Sequence, residues 1–299
     1  MKENKLLKLS AWGGLFFALL GLGCGIIIKS EMLWFDGLYS LVSLCLSMMA
    51  IAMCTFMEKT DKINFPFGKD TISPIIVVIK SIVLIIMCST SMINSIKTMF
   101  SGGNSVNSYV AIGYTIVSIA GCFAIYLYMK NSGKKLNSDI LKVESSQWLM
   151  DGLISVGVFV GFIIVLLIQE TRFSGYSKFI DPAMVIVSSV IFLRVPIGTL
   201  ISGFRELIQV KASDEIDSHI KNVVSDIEEE YNFEDPITRV CKTGNLLRIE
   251  IDFIFGNESK MKNLKEMDIV REKIHKLTKN IKYEKWINVS FTGNKEWVI

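Results

Sequence analysis

The sequence predicts a membrane protein: an all-α bundle of six transmembrane helices and a small C-terminal α+β domain. Of its 299 residues, 51% are hydrophobic and 20% are charged, and the mean hydropathy is +0.43. This is more apolar than an ordinary soluble protein. The apolar residues are concentrated before about residue 203. The remainder of the chain, toward the C-terminus, has the composition of a small soluble domain.

Six apolar runs approach the roughly 20 residues that a helix needs to cross the hydrocarbon core of a bilayer. Each run is apolar around its whole circumference, which indicates a membrane span rather than an amphipathic surface helix. The six runs are Leu9–Ile28, Met32–Met57, Ile75–Met99, Val106–Met129, Gln147–Ile168 and Pro182–Ile201. An even number of spans places both termini on the same side of the membrane.

The lysines predict which side that is. They are dense before the first run, between runs two and three, and between runs four and five, and sparse in the other connections. Because cytoplasmic segments of membrane proteins carry the excess of Lys and Arg, both termini are expected in the cytoplasm, with the chain in the plasma membrane. The net charge of +3 is spread along the chain, so no nucleic-acid partner is expected.

The soluble domain is predicted from periodicity. Apolar residues recur at helical spacing from Ile216 to Tyr231, and two strands, Pro236–Cys241 and Leu246–Phe255, flank a turn. A second helix, Leu264–Ile281, and a last strand, Lys285–Phe291, complete the order αββαβ. We therefore expect a transmembrane domain over residues 1–208 and a cytoplasmic domain over 209–299.

Two of the predicted spans carry polar side chains at helical spacing. Gln147 and Asp151 are four residues apart and therefore lie on one face of the fifth helix. The second helix carries Asp36, Tyr39 and Ser43 at similar spacing. A buried charge in a membrane span is costly, so it usually faces the bundle interior or a water-filled cavity. Together the two helices offer the oxygen ligands that a cation transporter needs.

Several local motifs occur in a particular order along the chain. Phe35–Ser43 contains an acidic residue followed by polar positions at ligand spacing, and Asn64–Lys69 is an aromatic-Pro-aromatic-Gly-basic turn. Gln147 and Asp151 come next, then Asp181-Pro182 and Phe204–Ile208. The order of these motifs, together with the six spans and the αββαβ domain that follows, resembles the cation diffusion facilitator (cation efflux) family. The resemblance covers nearly the whole chain.

The resemblance implies a dimeric exporter that exchanges divalent metals such as zinc, manganese or iron for protons. It implies a ferredoxin-like, metallochaperone-like cytoplasmic domain that holds a homodimer together, and no bound cofactor. The metal site implied by position consists of Tyr39 and Ser43 with Gln147 and Asp151, with Asp36 as a further candidate. Asp151 alone keeps the residue type of the family.

The change of residue type at the other three ligand positions changes the metal that is expected. Carboxylates with neutral oxygens suit a hard ion such as manganese or magnesium better than zinc, which prefers Cys, His and carboxylate. The family's cytoplasmic metal sites are expected to be missing, because His219 and His275 have no partner at ligand spacing. For Asp151, the alternative is a structural carboxylate paired with Lys80 or with a hydroxyl.

These residues support two hypotheses about function. The first is efflux of divalent cations with Asp151 as the main ligand and proton-coupled group. The second is a transport-inactive relative that keeps the fold and acts as a regulatory or partner subunit, because three of the four implied ligands have changed. An enzyme is not expected, since the sequence holds no nucleophile–base pair, phosphate loop or HExxH motif.

Overall fold

The structure, a computed structural model, describes residues 2–59, 61–136, 139–261 and 263–298. Its first six α-helices each contain a stretch that is long and apolar enough to cross a membrane. They are α1 (Lys2–Ile28), α2 (Glu31–Glu58), α3 (Ile72–Phe100), α4 (Ser108–Leu136), α5 (Asp139–Gln169) and α6 (Ile180–Leu207), with a short 3₁₀ helix, Ser174–Phe179, before α6. The six predicted spans are confirmed.

The chain folds into two compact units. One consists of Met1–Ala52 and Lys80–Gly198, and the other of Met53–Ile79 and Thr199–Ile299. The second unit therefore contains the ends of three long helices as well as the C-terminal domain. The predicted division between residues 208 and 209 stays a prediction.

Close helix packing in the first unit depends on small residues. A Cβ atom on Gly37 of α2 would lie 2.5 Å from the backbone nitrogen of Leu22 on α1. Only glycine permits this approach, because the opposing atoms belong to the backbone and cannot swing away. Helices α4 and α5 form the most extensive helix pair, and the hydroxyls of Ser118 and Ser155 are 3.0 Å apart between them. Trp148 of α5 donates to Ser10 of α1 at 2.6 Å.

A tight turn joins α1 to α2. Lys29 adopts a left-handed backbone conformation with φ of 55°. The amide of Ser30 then donates to the carbonyl of Gly25 at 2.9 Å. The Ser30 hydroxyl accepts from the amide of Leu33 at 3.2 Å, as an N-cap residue does. We call the end of the first unit that carries this turn the far end, because it lies opposite the N-terminus.

The C-terminal domain has the predicted order αββαβ. It consists of α7 (Asp214–Tyr231), β1 (Phe233–Thr243), β2 (Leu246–Phe255), α8 (Leu264–Leu277) and β3 (Glu284–Thr292). The sheet order is β1-β2-β3, with β1 antiparallel and β3 parallel to β2. The fold class predicted from the sequence is therefore confirmed.

One hydrophobic core holds this domain together. On β2, Ile249, Ile251 and Phe253 are fully buried, whereas the residues between them are half-buried and polar. Half of the other buried core residues come from the apolar faces of α7 and α8. Helix α8 ends at Leu277, four residues before the predicted end, where Thr278 bonds the carbonyl of Ile274 with its side chain at 2.8 Å.

Within the second unit, the β1–β2 turn is bound to the end of α6. Glu206 accepts from the side chain of Lys242 at 2.8 Å and from the amide of Gly244 at 2.9 Å. Gly244 has φ of +61° and lies against the carbonyl of Asp70. The α2–α3 connection is folded around Lys69, whose ammonium group donates to the carbonyls of Phe56 and Lys59.

Candidate functional site

The α2 side of the predicted site consists of three half-buried residues. Asp36, Tyr39 and Ser43 lie within the first two-thirds of α2, with Tyr39 and Ser43 one helical turn apart. Because Gly37 lets α2 contact α1 directly, the α2 backbone is held firmly at this level. The three side chains are thus carried on a well-packed segment rather than on a loop.

Asp36 bonds with α4. The hydroxyl of Tyr114 donates to its carboxylate at 3.2 Å. Tyr114 is buried, and its hydroxyl would lie 2.7 Å from a Cβ on Gly21 of α1. The carboxylate of Asp36 is therefore engaged at the meeting point of α1, α2 and α4. The role of Asp36 as an auxiliary ligand of a metal between α2 and α5 stays a prediction.

Tyr39 is close to the α5 side of the site. Its phenol is within electrostatic range of the carboxylate of Asp151 and of the thiol of Cys88 on α3. Its ring packs on that of Phe192 of α6, with centroids 4.6 Å apart. The ring of Phe35 lies 6.4 Å from that of Tyr39 on the same side. The ring of Tyr39 thus packs on an apolar wall, and its phenol interacts electrostatically with the carboxylate of Asp151.

Asp151 is half-buried within α5. The next residue, Gly152, packs against Cys122 of α4, since a Cβ on Gly152 would lie 3.3 Å from the Cys122 Cβ. The Cys122 thiol is within electrostatic range of both Asp151 and Asp36. Asp151 therefore lies beside a buried thiol, with Tyr39 in electrostatic range.

The structure brings together part of the predicted ligand set. Tyr39 and Asp151 are within electrostatic range of one another, whereas Gln147 is exposed on α5 and Ser43 is half-buried on α2. Within the described residues, no three of the side-chain types His, Cys, Asp and Glu come close enough together to hold a metal ion. A cation between α2 and α5 would therefore depend on neutral oxygens or on movement of the helices.

Lys80 is the alternative partner that the sequence offers for Asp151. It is half-buried on α3, and no ion pair joins it to an acidic residue in the described part of the chain. His219 and His275 are both exposed on the helices of the C-terminal domain.

A hydrogen-bond network at the far end of the first unit was not predicted from the sequence. Asp181 of α6 is 1% exposed, and its carboxylate accepts from the Ser30 hydroxyl and from the Glu31 amide, both at 2.7 Å. Asn104 of the α3–α4 connection donates through its backbone to the carbonyl of Lys178 at 2.7 Å and through its side chain to that of Lys29. The three connections at this end are thus joined by hydrogen bonds.

The sequence contains one signal for this hydrogen-bond network and none for the position of the Cys122 thiol beside Asp151. Asp181-Pro182 predicts the start of a helix, but nothing local indicates that its carboxylate caps another helix 151 residues earlier. Cys122 is four residues after Ser118, so both face α5, but that face is known only once α4 and α5 are packed together.

The C-terminal domain contains an acidic cavity of about 660 Å³, lined in part by Glu228, Glu229, Glu234 and Glu258. Desolvation raises the pKa of Glu228, and the charges of Asp235 and Glu229 raise it further. These carboxylates also fail to form a metal-binding group within the described residues. Glu229 and Glu230 are exposed in the last turn of α7, so we interpret this acidic cluster as a solvated helix end.

Comparison with known proteins identifies the family. Residues 7–208 match the cation efflux transmembrane domain. A curated relative, the manganese efflux system protein MneP of Bacillus subtilis (strain 168), is 28% identical over 181 residues. That match covers 60% of this chain and 58% of MneP, so the chain spans little more than half the length of this relative.

The family match extends over most of the chain and includes all six candidate spans, which makes the chain a multi-pass membrane protein. It confirms the resemblance seen in the motifs of α2, α5 and α6. The chain belongs to the cation efflux family, whose members are transporters and not enzymes.

Proposed function

We propose that this protein is a secondary transporter that exports divalent metal cations and binds them between α2 and α5. The observation that carries the proposal is Asp151, a carboxylate half-buried in a membrane-spanning helix and within electrostatic range of Tyr39 on α2. A charged side chain within a membrane span is costly, so its retention favours a function. The cation efflux match over residues 7–208 supports the same function.

The ligand types favour a hard cation. Asp151 would be the principal ligand, with Tyr39, Ser43 and Gln147 as neutral oxygen ligands and Asp36 as a second carboxylate. Oxygen-only sites suit manganese or magnesium, whereas zinc prefers nitrogen and sulfur. The relative MneP is named as a manganese efflux protein. We therefore propose manganese as the first ion to test.

Transport would proceed by alternating access, with the helices rocking around a site near the middle of the bilayer. A carboxylate must lose its proton to bind a metal, so protonation of Asp151 would release the cation. This gives antiport of protons against metal. The distribution of lysines supports an orientation with both termini on the cytoplasmic side of the plasma membrane. The cation efflux match supports export as the direction of transport.

The test is metal flux in proteoliposomes that contain the purified full chain and an enclosed metal-sensitive dye. Manganese, zinc, iron, cobalt and cadmium are offered in turn. We expect saturable manganese flux in the wild type and a loss of at least about tenfold in Asp151→Asn, because the principal charge of the site is removed. Glu170→Gln, an exposed carboxylate just beyond the end of α5, is the matched control. Equal flux in wild type and Asp151→Asn would contradict the proposal.

A second candidate is a regulatory or partner subunit that does not transport. It is favoured by the exposure of Gln147 and by the absence of a metal-binding group of His, Cys, Asp and Glu side chains within the described residues. No flux of any ion, from protein that is folded and of the expected mass, would favour this candidate. The next step would then be to identify a membrane partner.

We also propose that the protein is a homodimer held by its C-terminal domain. The domain has its own hydrophobic core, so it can present a fixed surface to a second copy. Light scattering of the full chain in detergent should give twice the chain mass after subtraction of the detergent. A monomer at micromolar concentration would contradict this proposal.

A further inference from the structure

A cavity of about 300 Å³ lies at the far end of the first unit, between the α1–α2 turn and α3. Most of its wall is apolar, but six polar residues also line it. Lys29 and Ser30 belong to the α1–α2 turn, and the other four are Glu31 of α2 and Ser91, Asn94 and Ser95 of α3. The side chains of these four helix residues carry oxygen atoms that can bind a cation. The cavity is distinct from the predicted ligand set between α2 and α5.

The carboxylate of Glu31 is the charged group of this cavity. It is half-buried and accepts hydrogen bonds from the Ser95 hydroxyl at 2.6 Å and from the Thr98 hydroxyl. Those hydroxyls fix the direction of the carboxylate and leave other lone pairs for a ligand, since an ionised carboxylate has about four acceptor positions.

Ser91 gives an independent indication of a ligand. It lines the cavity and is 8% exposed, and its side chain forms no hydrogen bond within the described residues. Ser91 is also not among the buried atoms that lack a partner, so its hydroxyl is open to the cavity and available to water or to a hydrated cation.

An aromatic layer separates the cavity from Tyr39. Phe35 lines the cavity and is 1% exposed, and its ring stacks on that of Phe192 with centroids 5.8 Å apart. Phe192 in turn packs on Tyr39. A cation that leaves the α2–α5 site toward the far end would meet this layer first and Glu31 immediately beyond it.

We propose that this cavity is a second cation-binding site, where a hard divalent cation binds to Glu31 and the neutral oxygens of Ser91, Asn94 and Ser95 on its way out. This rests on the proposed export function. One carboxylate with neutral oxygens and retained waters is typical of weak sites for hard ions, with dissociation constants on the order of 0.1–1 mM. Weak binding suits an exit site, because the cation must leave.

Lys29 provides an internal check, because this residue also lines the cavity. A positive charge near the carboxylate opposes cation binding. If the cavity binds a cation, replacement of Lys29 by glutamine should tighten the binding. If Glu31 serves only to tie α2 to α3, that replacement should have no effect on metal binding.

The experiment uses Trp34, which lines the cavity, as the reporter. Tryptophan fluorescence of the full-length protein in nanodiscs is titrated with Mn²⁺, which quenches nearby indoles, and then with Mg²⁺ as a non-quenching competitor. We expect saturable quenching that Mg²⁺ reverses and that is lost in Trp34→Phe. Glu31→Gln should weaken binding at least about tenfold, and Lys29→Gln should tighten it about threefold or more.

The controls separate this proposal from the proposed function. Glu170→Gln should bind as the wild type does, and Asp151→Asn should keep the Trp34 signal even where its flux is lost. Quenching that is unsaturable, or equal in wild type and Glu31→Gln, would overturn the inference whatever the flux measurements give. If Glu31→Gln fails to fold, unchanged affinity in Lys29→Gln overturns it instead.

Discussion

Asp181 shows how one buried side chain can organise the end of a helix bundle. Its carboxylate binds the hydroxyl and amide groups at the start of α2, although it belongs to α6. The first amides of a helix have no partner within the helix, and a negative charge there also interacts favourably with the helix dipole. Asp181 therefore acts as an N-cap supplied by a distant segment of the chain.

We predict that Asp181→Asn lowers the free energy of unfolding of the protein by about 2 kcal/mol. The neutral amide replaces a charged acceptor and turns an NH₂ group toward N–H donors, and hydrogen bonds to charged groups contribute about 1.5–3 kcal/mol each. Unfolding in mixed detergent, followed by tryptophan fluorescence, measures the change. Equal stability of Asp181→Asn and wild type would show that the carboxylate does not cap α2.

Substitution of Gly37 tests the contact between α1 and α2. We predict that Gly37→Ala destabilises the protein by about 1–3 kcal/mol, because the new methyl group would collide with the backbone of Leu22. Gly23→Ala is the matched control on α1, since nothing lies within 4 Å of its added Cβ. That control should be neutral or slightly stabilising, as alanine favours helix. Similar destabilisation by both variants in the same unfolding assay would contradict the proposed close packing.

At the scale of elements, Glu206 connects the end of α6 with the β1–β2 hairpin. One carboxylate accepts from Lys242 and from the amide of Gly244. The hairpin turn is therefore bound to the last turn of a long helix, with Gly244 half-buried and Asn245 exposed. Because of these hydrogen bonds, movement of the end of α6 would also move the hairpin.

We predict that Glu206→Ala speeds hydrogen exchange of the Gly244 amide roughly tenfold to a hundredfold, because an acceptor worth about 1–3 kcal/mol is removed. Hydrogen exchange with mass spectrometry on peptides that contain the turn gives the rate. Glu215→Ala, an exposed carboxylate on α7, is the control and should leave the turn unchanged. Unaltered exchange in Glu206→Ala would mean that the bond contributes nothing to the order of the turn.

At the scale of the whole molecule, the proposed coupling to protons predicts a pH dependence. Protonation of Asp151 competes with the metal, so acid on the receiving side should promote release of the cation. Manganese flux through the wild type is therefore expected to rise as the pH of the receiving side falls. The residual flux of Asp151→Asn should not respond. Stopped-flow dye measurements over a pH series give the flux of both proteins. Identical pH profiles for wild type and Asp151→Asn would rule out Asp151 as the coupling group.

Some features of the fold could be read directly from local patterns. The alternation of Ile249, Ile251 and Phe253 with polar residues predicts a half-buried strand, and β2 is one. By contrast, the orientation of Gln147 could not be predicted. An all-round apolar helix has no sequence signal for which side faces its neighbours, so the exposure of Gln147 depends on how α5 packs against α4.

Hydropathy and periodicity, which are local properties, were enough to predict the six spans, the αββαβ order and the presence of Asp36 and Asp151 within the apolar part of the chain. Only the folded bundle shows which polar groups meet. Asp36 bonds with Tyr114, 78 residues away, and Asp181 bonds with Ser30, 151 residues away. Such pairs depend on the rotation of each helix about its axis and on its choice of neighbours, because both are set by the packing of the entire bundle.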